Sequence, residues 1–387
     1  MEKTSKYSLL QLTLYFLKLG AVGFGGPVAL VGYMHKDLVE NRKWITEEEY
    51  KQGLALAQLA PGPLAAQLGI YLGFVHYSFL GATLAGFAFI LPSFLMVVAL
   101  GIVYQLYGGL SWIQAVFYGV GASVVGIIAL SSYKLTVKSI GKINLESFKS
   151  KWLLWIFFIT AAIVTFITEK EQVLLFILAG LFYMIMTAPP KWWNFKTTNS
   201  IVLLQFALWN SEESTLIKLG VFFAKAGAFV FGSGLAIVPF LHSGVVAENH
   251  WLTEQQFLDS VAVAMITPGP VVITVGFIGY LVHGVAGALV AALATFLPCY
   301  LFTILLAPYF KKISDNKSVK AFVEGITAVV IGALVGSVVV IASRSIIDIS
   351  TALIAVLTIG ALLYFKKLQE PYVILIAGII GVFIKLI

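Results

Sequence analysis

Charge is scarce in this sequence: Asp, Glu, Lys and Arg make up 11% of its 387 residues, against about 25% in a soluble globular domain. That shortage excludes a soluble enzyme and a disordered scaffold. There is one cysteine, Cys299, which excludes an internal disulfide and a cysteine-based metal centre. The five histidines include no close pair at metal-ligand spacing, and no metal or organic cofactor is expected. No G-x-x-x-x-G-K-[ST] phosphate loop is present, and there is no long polar domain to hold a nucleotide. No H-E-x-x-H motif and no convincing Ser/His/Asp set argues for an intramembrane enzyme acting on a lipid. The net charge of +7 would suit nucleic acid in a soluble protein. In a chain this apolar, excess Lys and Arg instead orient helices in a bilayer, so no nucleic-acid partner is expected.

What is abundant is apolar: 60% hydrophobic and 14% aromatic residues. Runs of roughly 18 or more such residues recur, the length that crosses a bilayer as a helix. The reading is an all-α integral membrane protein. Ten spanning segments are expected at 9–35, 78–106, 111–133, 152–168, 172–188, 215–241, 284–310, 319–342, 350–365 and 371–386. No small-residue cleavage site follows a short apolar core near the start, so the first segment is expected to be a span. Two further segments, 46–76 and 253–283, begin polar and are broken at their middles by Pro-Gly-Pro, at 61–63 and 268–270.

Shifting the sequence by 207 residues aligns its halves. Phe24-Gly25 falls on Phe231-Gly232, Trp44-Ile45-Thr46-Glu47 on Trp251-Leu252-Thr253-Glu254, and Pro61-Gly62-Pro63 on Pro268-Gly269-Pro270. Lys18 falls on Lys225, His35 on His242, Gly69 on Gly276 and Val75-His76 on Val282-His283. After one single-residue gap, Pro92 meets Pro298, Gly119 meets Gly325 and Gly126 meets Gly332. The chain therefore reads as a duplication, with repeats at 1–199 and 200–387.

If each Pro-Gly-Pro segment spans, the repeats are parallel; if each is a re-entrant hairpin, they are inverted. Hairpins put eighteen Lys/Arg on one side and five on the other, with Lys18 and Lys225 left inside spans. Spanning would place 134–151 opposite 36–51 and weaken that bias. The hairpin arrangement is therefore expected, with two inverted repeats, both termini outside and the first hairpin open to the cytoplasm. This is a plan common among secondary transporters.

Proline cannot donate a backbone hydrogen bond and breaks a helix interior. The freed backbone is tolerated at membrane depth where it is buried in protein or lines a wet cavity. Each break starts a new helix, at Leu64 and Val271, whose free N–H groups and positive dipole end suit an anion. A single such break would more often be a packing kink; two at equivalent places point to a site. The first segments carry Gly20-Ala21-Val22-Gly23-Phe24-Gly25-Gly26-Pro27 and Gly227-Ala228-Phe229-Val230-Phe231-Gly232-Ser233-Gly234. Gly20 and Gly23 suit close helix packing as well as ligand contact. Gly25-Gly26-Pro27 and Gly232-Ser233-Gly234 read as local breaks beside the hairpin tips.

Lys18 and Lys225 sit inside apolar segments, where a lysine costs about 2.5–3.5 kcal/mol. Snorkelling to an interface is weighed against a cation facing the cavity, and the repeat favours the cation. Gln58, Gln67, Ser233, Thr267 and Thr274 are candidates to complete an anion site. Glu324, matched by Tyr118 in the first half, is a candidate for a coupling proton, and Asp259 is a weaker one. His76, His283, Trp44 and Trp251 are read as interfacial anchors.

Phe24-Gly25-Gly26-Pro27, Trp44, Tyr50 and the run Gln58-x-x-Pro61-Gly62-Pro63-x-x-x-Gln67 resemble the chromate ion transporter family, in its long form with two homologous membrane domains in one chain. The resemblance covers nearly the whole chain, most strongly 15–92 and 222–298. It implies a multi-pass plasma-membrane protein that exports chromate by the membrane energy gradient, confers chromate resistance and is not an enzyme. The second half departs from the pattern, with Gly232-Ser233-Gly234 for Gly25-Gly26-Pro27 and Thr274 for Gln67. The substrate expected is chromate or a sulfate-like tetrahedral oxyanion, held by the hairpin tips with Lys18 and Lys225. A passive anion channel and a carrier of another oxyanion such as sulfate are the alternatives. The lipid bilayer is the other partner, and a homodimer is compatible with this reading.

Overall fold

A computed structural model describes residues 7–24, 26–169, 173–189, 214–230, 234–310, 316–365 and 368–386. Among these residues the chain forms fifteen α-helices with short 3-10 and π turns, and no strand. Four helices are long and apolar enough to cross a membrane, within Leu64–Tyr107, Ser111–Ser139, Val271–Tyr309 and Lys317–Ser345, and shorter apolar helices accompany them. Large apolar side chains such as Leu14, Phe87, Leu95, Leu297 and Leu357 are exposed on their outer faces, a belt that lipid covers.

Each Pro-Gly-Pro segment is a re-entrant hairpin. In the first, α3 (Glu47–Leu59) and the start of α4 (Leu64–Tyr107) run back along each other. Gly53 packs on Leu68 and Tyr71, and Glu49 lies 3.8 Å from His76. The second hairpin joins α11 (Glu254–Ile266) to α12 (Thr274–Leu306) in the same way. Both second arms end at equivalent kinks, where Ser78 has φ 55° and Gly284 φ 58°. There the chain turns into the long helices 79–107 and 285–306.

The first segment of each half corrects the sequence reading: 9–35 and 215–241 do not run straight through. Helix α1 (Leu9–Val22) stops at Gly23, and α2 (Gly26–Met34) returns with a π turn, His35–Asn41. A continuous helix would part Tyr15 from Arg42 by about 40 Å. Instead the Arg42 guanidinium sits over the Tyr15 ring at 5.6 Å and the Trp44 ring at 4.6 Å. Tyr7 stacks on Trp44 with centroids 4.5 Å apart. The second half repeats this. Phe222 on α9 (Thr215–Ala228) stacks on Phe240 at 5.4 Å and meets Trp251 edge-on at 5.6 Å. Each half thus opens with two re-entrant hairpins sharing one mouth. Residue 7 lies at the first mouth, with Trp44 and His76, on the side of Arg42 rather than opposite it. The expected external start of the chain is corrected accordingly.

The two mouths face opposite ways. Helix 79–107 leaves the first, where the Tyr77 hydroxyl donates to the Tyr7 carbonyl. It ends at the second, where the Tyr104 hydroxyl donates to Asp259 at 2.6 Å. Helix 285–306 runs the other way, bringing Tyr300 within 2.8 Å of Thr83. The repeats are inverted. Lys36, Arg42, Lys43 and Lys51 at the first mouth have Ser243, Asn249, His250 and Leu258 as equivalents at the second. Under the positive-inside rule this asymmetry is the pattern expected of a cytoplasmic first mouth.

The halves also exchange helices. Helix α5 (Ser111–Ser139) is flanked by α14 (Ile349–Tyr364) and α15 (Glu370–Leu386). Helix α13 (Lys317–Ser345) is flanked by α7 (Trp152–Thr168) and α8 (Val173–Thr187). The glycine pairs of the repeat make these contacts. A methyl on Gly119 would lie 2.0 Å from the Ala377 carbonyl oxygen, and one on Gly332 would lie 2.2 Å from that of Phe158.

The fold-back predicts a labelling result. In a Cys299→Ser background, cysteines at Ser8 and Thr46 are expected to react with an impermeant thiol reagent from the same side, and one at Thr253 from the other. Opposite labelling of Ser8 and Thr46 would refute the first hairpin.

Candidate functional site

The four hairpin tips meet deep in the protein, and they meet across the repeats. The Gly62 N–H donates to the Val230 carbonyl at 2.6 Å, and the Gly269 N–H donates to the Gly23 carbonyl at 2.8 Å. These bonds are equivalents under the 207-residue shift. Each Pro-Gly-Pro tip therefore docks on the broken first hairpin of the other half. Gly234 closes the cluster by packing on Val271 and Val272. Gly62, Pro63, Pro268, Gly269 and Pro270 are buried, while Pro61 is partly so.

The two kinds of helix start differ in chemistry. At the mouths, Ser8, Thr46 and Thr253 each close a capping box that satisfies the free N–H groups. At the tips, Pro63 and Pro270 precede their helices and offer no side-chain cap. The first-turn N–H groups there are left for backbone, water or a ligand. Several helix N-termini converging at membrane depth make a positive, donor-rich centre without a net charge.

The side chains at the tips brace them. Gln67 is fully buried and donates from Nε2 to the Pro61 carbonyl at 2.8 Å, while its Oε1 has no partner. Thr274, at the matching place, donates to the Val271 carbonyl at 2.7 Å, and Thr267 donates to Val263. Gln58 is exposed. Lys18 is exposed and Lys225 half-buried. Each lies on the first arm of its hairpin, about 7.5 Å of helix rise before Gly23 or Val230. Gly26 starts α2 and Gly234 starts a short 3-10 turn. Gly25, Gly232 and Ser233 lie outside the described residues. Glu324 is exposed on α13. Among the described residues no cluster of His, Cys, Asp and Glu is fit to hold a metal.

Three features escaped the sequence reading. Ser93 and Cys299 are buried equivalents, each following a helix proline, and they seat the opposing tips: Gly269 lies on Ser93 and Gly62 on Cys299. Their place one residue after Pro92 and Pro298 was the available signal. The repeated His and Glu form repeated pairs, His35–Glu47 and His242–Glu254, both at 2.8 Å. At the second mouth Arg344 joins Glu254 to Glu169. Beside that cluster lies a cavity of roughly 190 Å³ lined by Tyr118, Gln255, Arg344 and Thr351 among others.

Comparison with known proteins shows the family. The family model described as "Chromate transporter" matches twice, over residues 10–185 and 217–382. The chain is 60% identical over 380 residues to a protein named chromate transport protein from Cupriavidus metallidurans, covering 97% of this chain and 93% of that one. It is 56% identical over 383 residues to a probable chromate transport protein from Synechococcus elongatus, covering 97% and 95%. It is 30% identical over 395 residues to a chromate transport protein from Pseudomonas aeruginosa, covering 96% and 91%. No solved structure matches the chain. An all-helical, multi-pass membrane chain with a twice-matched family model over nearly its whole length belongs to the chromate transporter family.

Proposed function

We propose that this chain exports chromate from the cytoplasm across the plasma membrane as a secondary active transporter. The carrying observation is the meeting of hairpin tips from inverted halves, with helix N-termini left uncapped by side chains at Pro63 and Pro270. A tetrahedral dianion loses its hydration there and is met by fixed N–H donors. Burial of such a charge without partners would be prohibitive. Lys18 and Lys225 flank the tips and add net positive charge to the approach. The names of the relatives support chromate as the anion.

The cytoplasmic mouth carries Lys36, Arg42, Lys43 and Lys51 among the carboxylates of Asp37, Glu40, Glu47, Glu48 and Glu49. Its two hairpins and those of the external mouth meet at their tips, where the two cross-repeat bonds join them. Rocking of one set against the other would expose the centre alternately to each side. Energy comes from an ion gradient.

The test is uptake of labelled chromate by inverted vesicles under an imposed proton gradient, with sulfate as competitor. Uptake is expected in the parent. It is expected to fall about tenfold in Lys18→Ala and in Lys225→Ala, the equivalent of ~1.4 kcal/mol each. Uptake that ignores the gradient would favour a channel. Uptake of sulfate in place of chromate would change the substrate.

A further inference from the structure

We propose that Asp259 carries the coupling proton, reached from the cavity at the external mouth. This rests on the transporter reading above and names the group that would link it to a proton gradient. Asp259 lies on the first arm of the second Pro-Gly-Pro hairpin and is 2% exposed. Two donors hold its carboxylate: Tyr104 Oη at 2.6 Å, from the other half, and Gln255 Nε2 at 2.8 Å. No cation pairs with it among the described residues. Its ionised form keeps both hydrogen bonds, and its neutral form removes a buried charge, so each state has its own support.

The route is visible. Gln255 both lines the cavity and bonds Asp259. Among the described residues, the ionisable groups around that mouth include Glu254 with His242, Arg344 with Glu169, Tyr118 with Asp348 and Lys385, and Lys218, Glu248 and His250. Carboxylates outnumber lysine and arginine there, so the external cavity favours protons and disfavours oxyanions.

The repeat shows that this arrangement is particular to one half. At the equivalents of Gln255 and Asp259 stand Glu48 and Gln52, and Gln52 Nε2 donates to Glu48 at 3.0 Å. The amide–carboxylate pair is the same, but the acid is one turn nearer the mouth and exposed. Tyr104 is replaced by Phe310, which has no hydroxyl. Two inverted halves are nearly equivalent at the tips; the buried acid supplies a direction. A proton enters from outside, binds the Asp259 carboxylate and leaves to the cytoplasm, while the anion travels outward.

Purified protein in liposomes tests this. Accumulation of chromate driven by a pH gradient is expected to fall at least tenfold in Asp259→Asn, while exchange of external for internal chromate remains measurable. Tyr104→Phe removes a donor to the charged form, so the midpoint of the pH profile should move to higher pH. Glu324→Gln should keep gradient-driven accumulation. Independently, infrared titration of the parent should show the carbonyl stretch of a buried protonated carboxyl, absent from Asp259→Asn. Gradient-driven accumulation by Asp259→Asn with the parent's pH profile would overturn the proposal, as would no such infrared band in the parent. A band that titrates in a parent that moves no chromate would leave the proton site and sink the chromate reading instead.

Discussion

Replacing Gly269 with alanine is expected to lower chromate uptake at least tenfold and to destabilise the protein by about 2–5 kcal/mol. Gly269 has φ +99°, a conformation an L side chain resists at roughly 1–2 kcal/mol. An added methyl would also lie 2.0 Å from Ser93 Oγ, and overpacking of that kind costs about 1–3 kcal/mol. The Gly269 N–H bond to Gly23 would have to shift with the backbone, moving the tip that faces the anion. Ser93→Gly in the same chain removes the clash but not the backbone strain, so it should restore part of the loss. Gly62→Ala meets its nearest atoms only at 2.8 Å and should be milder. Uptake assays with thermal unfolding in detergent measure both effects. Parent-like uptake and stability in Gly269→Ala would show that the tip does not depend on this geometry.

Leucine at Gly119 or Gly332 is expected to prevent a stable fold, at a cost of about 3 kcal/mol or more. Each glycine touches a backbone carbonyl of the other half, at Ala377 and Phe158. Backbone cannot step aside as a side-chain end does. Gly360→Leu is the control. Nothing lies within 4 Å of a methyl built there, and leaving glycine favours the helix by up to about 1 kcal/mol. Size-exclusion profiles and unfolding temperatures should separate the first two variants from the third. Equal behaviour of all three would mean that the helix exchange is not what holds the halves together.

Much of this was legible in the amino-acid pattern. Pro-Gly-Pro marks a break because proline ends a helix, and its recurrence at the 207-residue shift marked both hairpins. Helix ends near Thr168 and Tyr364 followed from polar interruptions. The fold-back at Gly23 was not legible, because hydropathy records how apolar a segment is and not which way it runs. Residues 9–34 are apolar on both arms of the hairpin. The contacts that betray the reversal, Arg42 on Tyr15 and Tyr7 on Trp44, join residues far apart along the chain. The Pro-Gly-Pro turns were marked by their prolines, whereas Ser93 and Cys299 were overlooked because each looks like an ordinary core residue. Helix exchange was hidden for another reason: the partners of Gly119 and Gly325 lie in the last two helices of each half, where little repeat survives.

That exchange bears on how the protein is made. When the first repeat has left the ribosome, Trp152–Thr168 and Val173–Thr187 have no Lys317–Ser345 to pack on. Ser111–Ser139 likewise waits for the last two helices of the chain. The nascent first half is therefore an open form in the bilayer, its small-residue grooves facing lipid until synthesis is nearly complete. A truncated product ending before residue 349 would lack the two helices that close the first groove. Quality control in the membrane would meet it as an orphan rather than as a smaller transporter. A gene encoding one repeat alone could escape that fate only by inserting its product in both orientations and letting opposite copies trade helices.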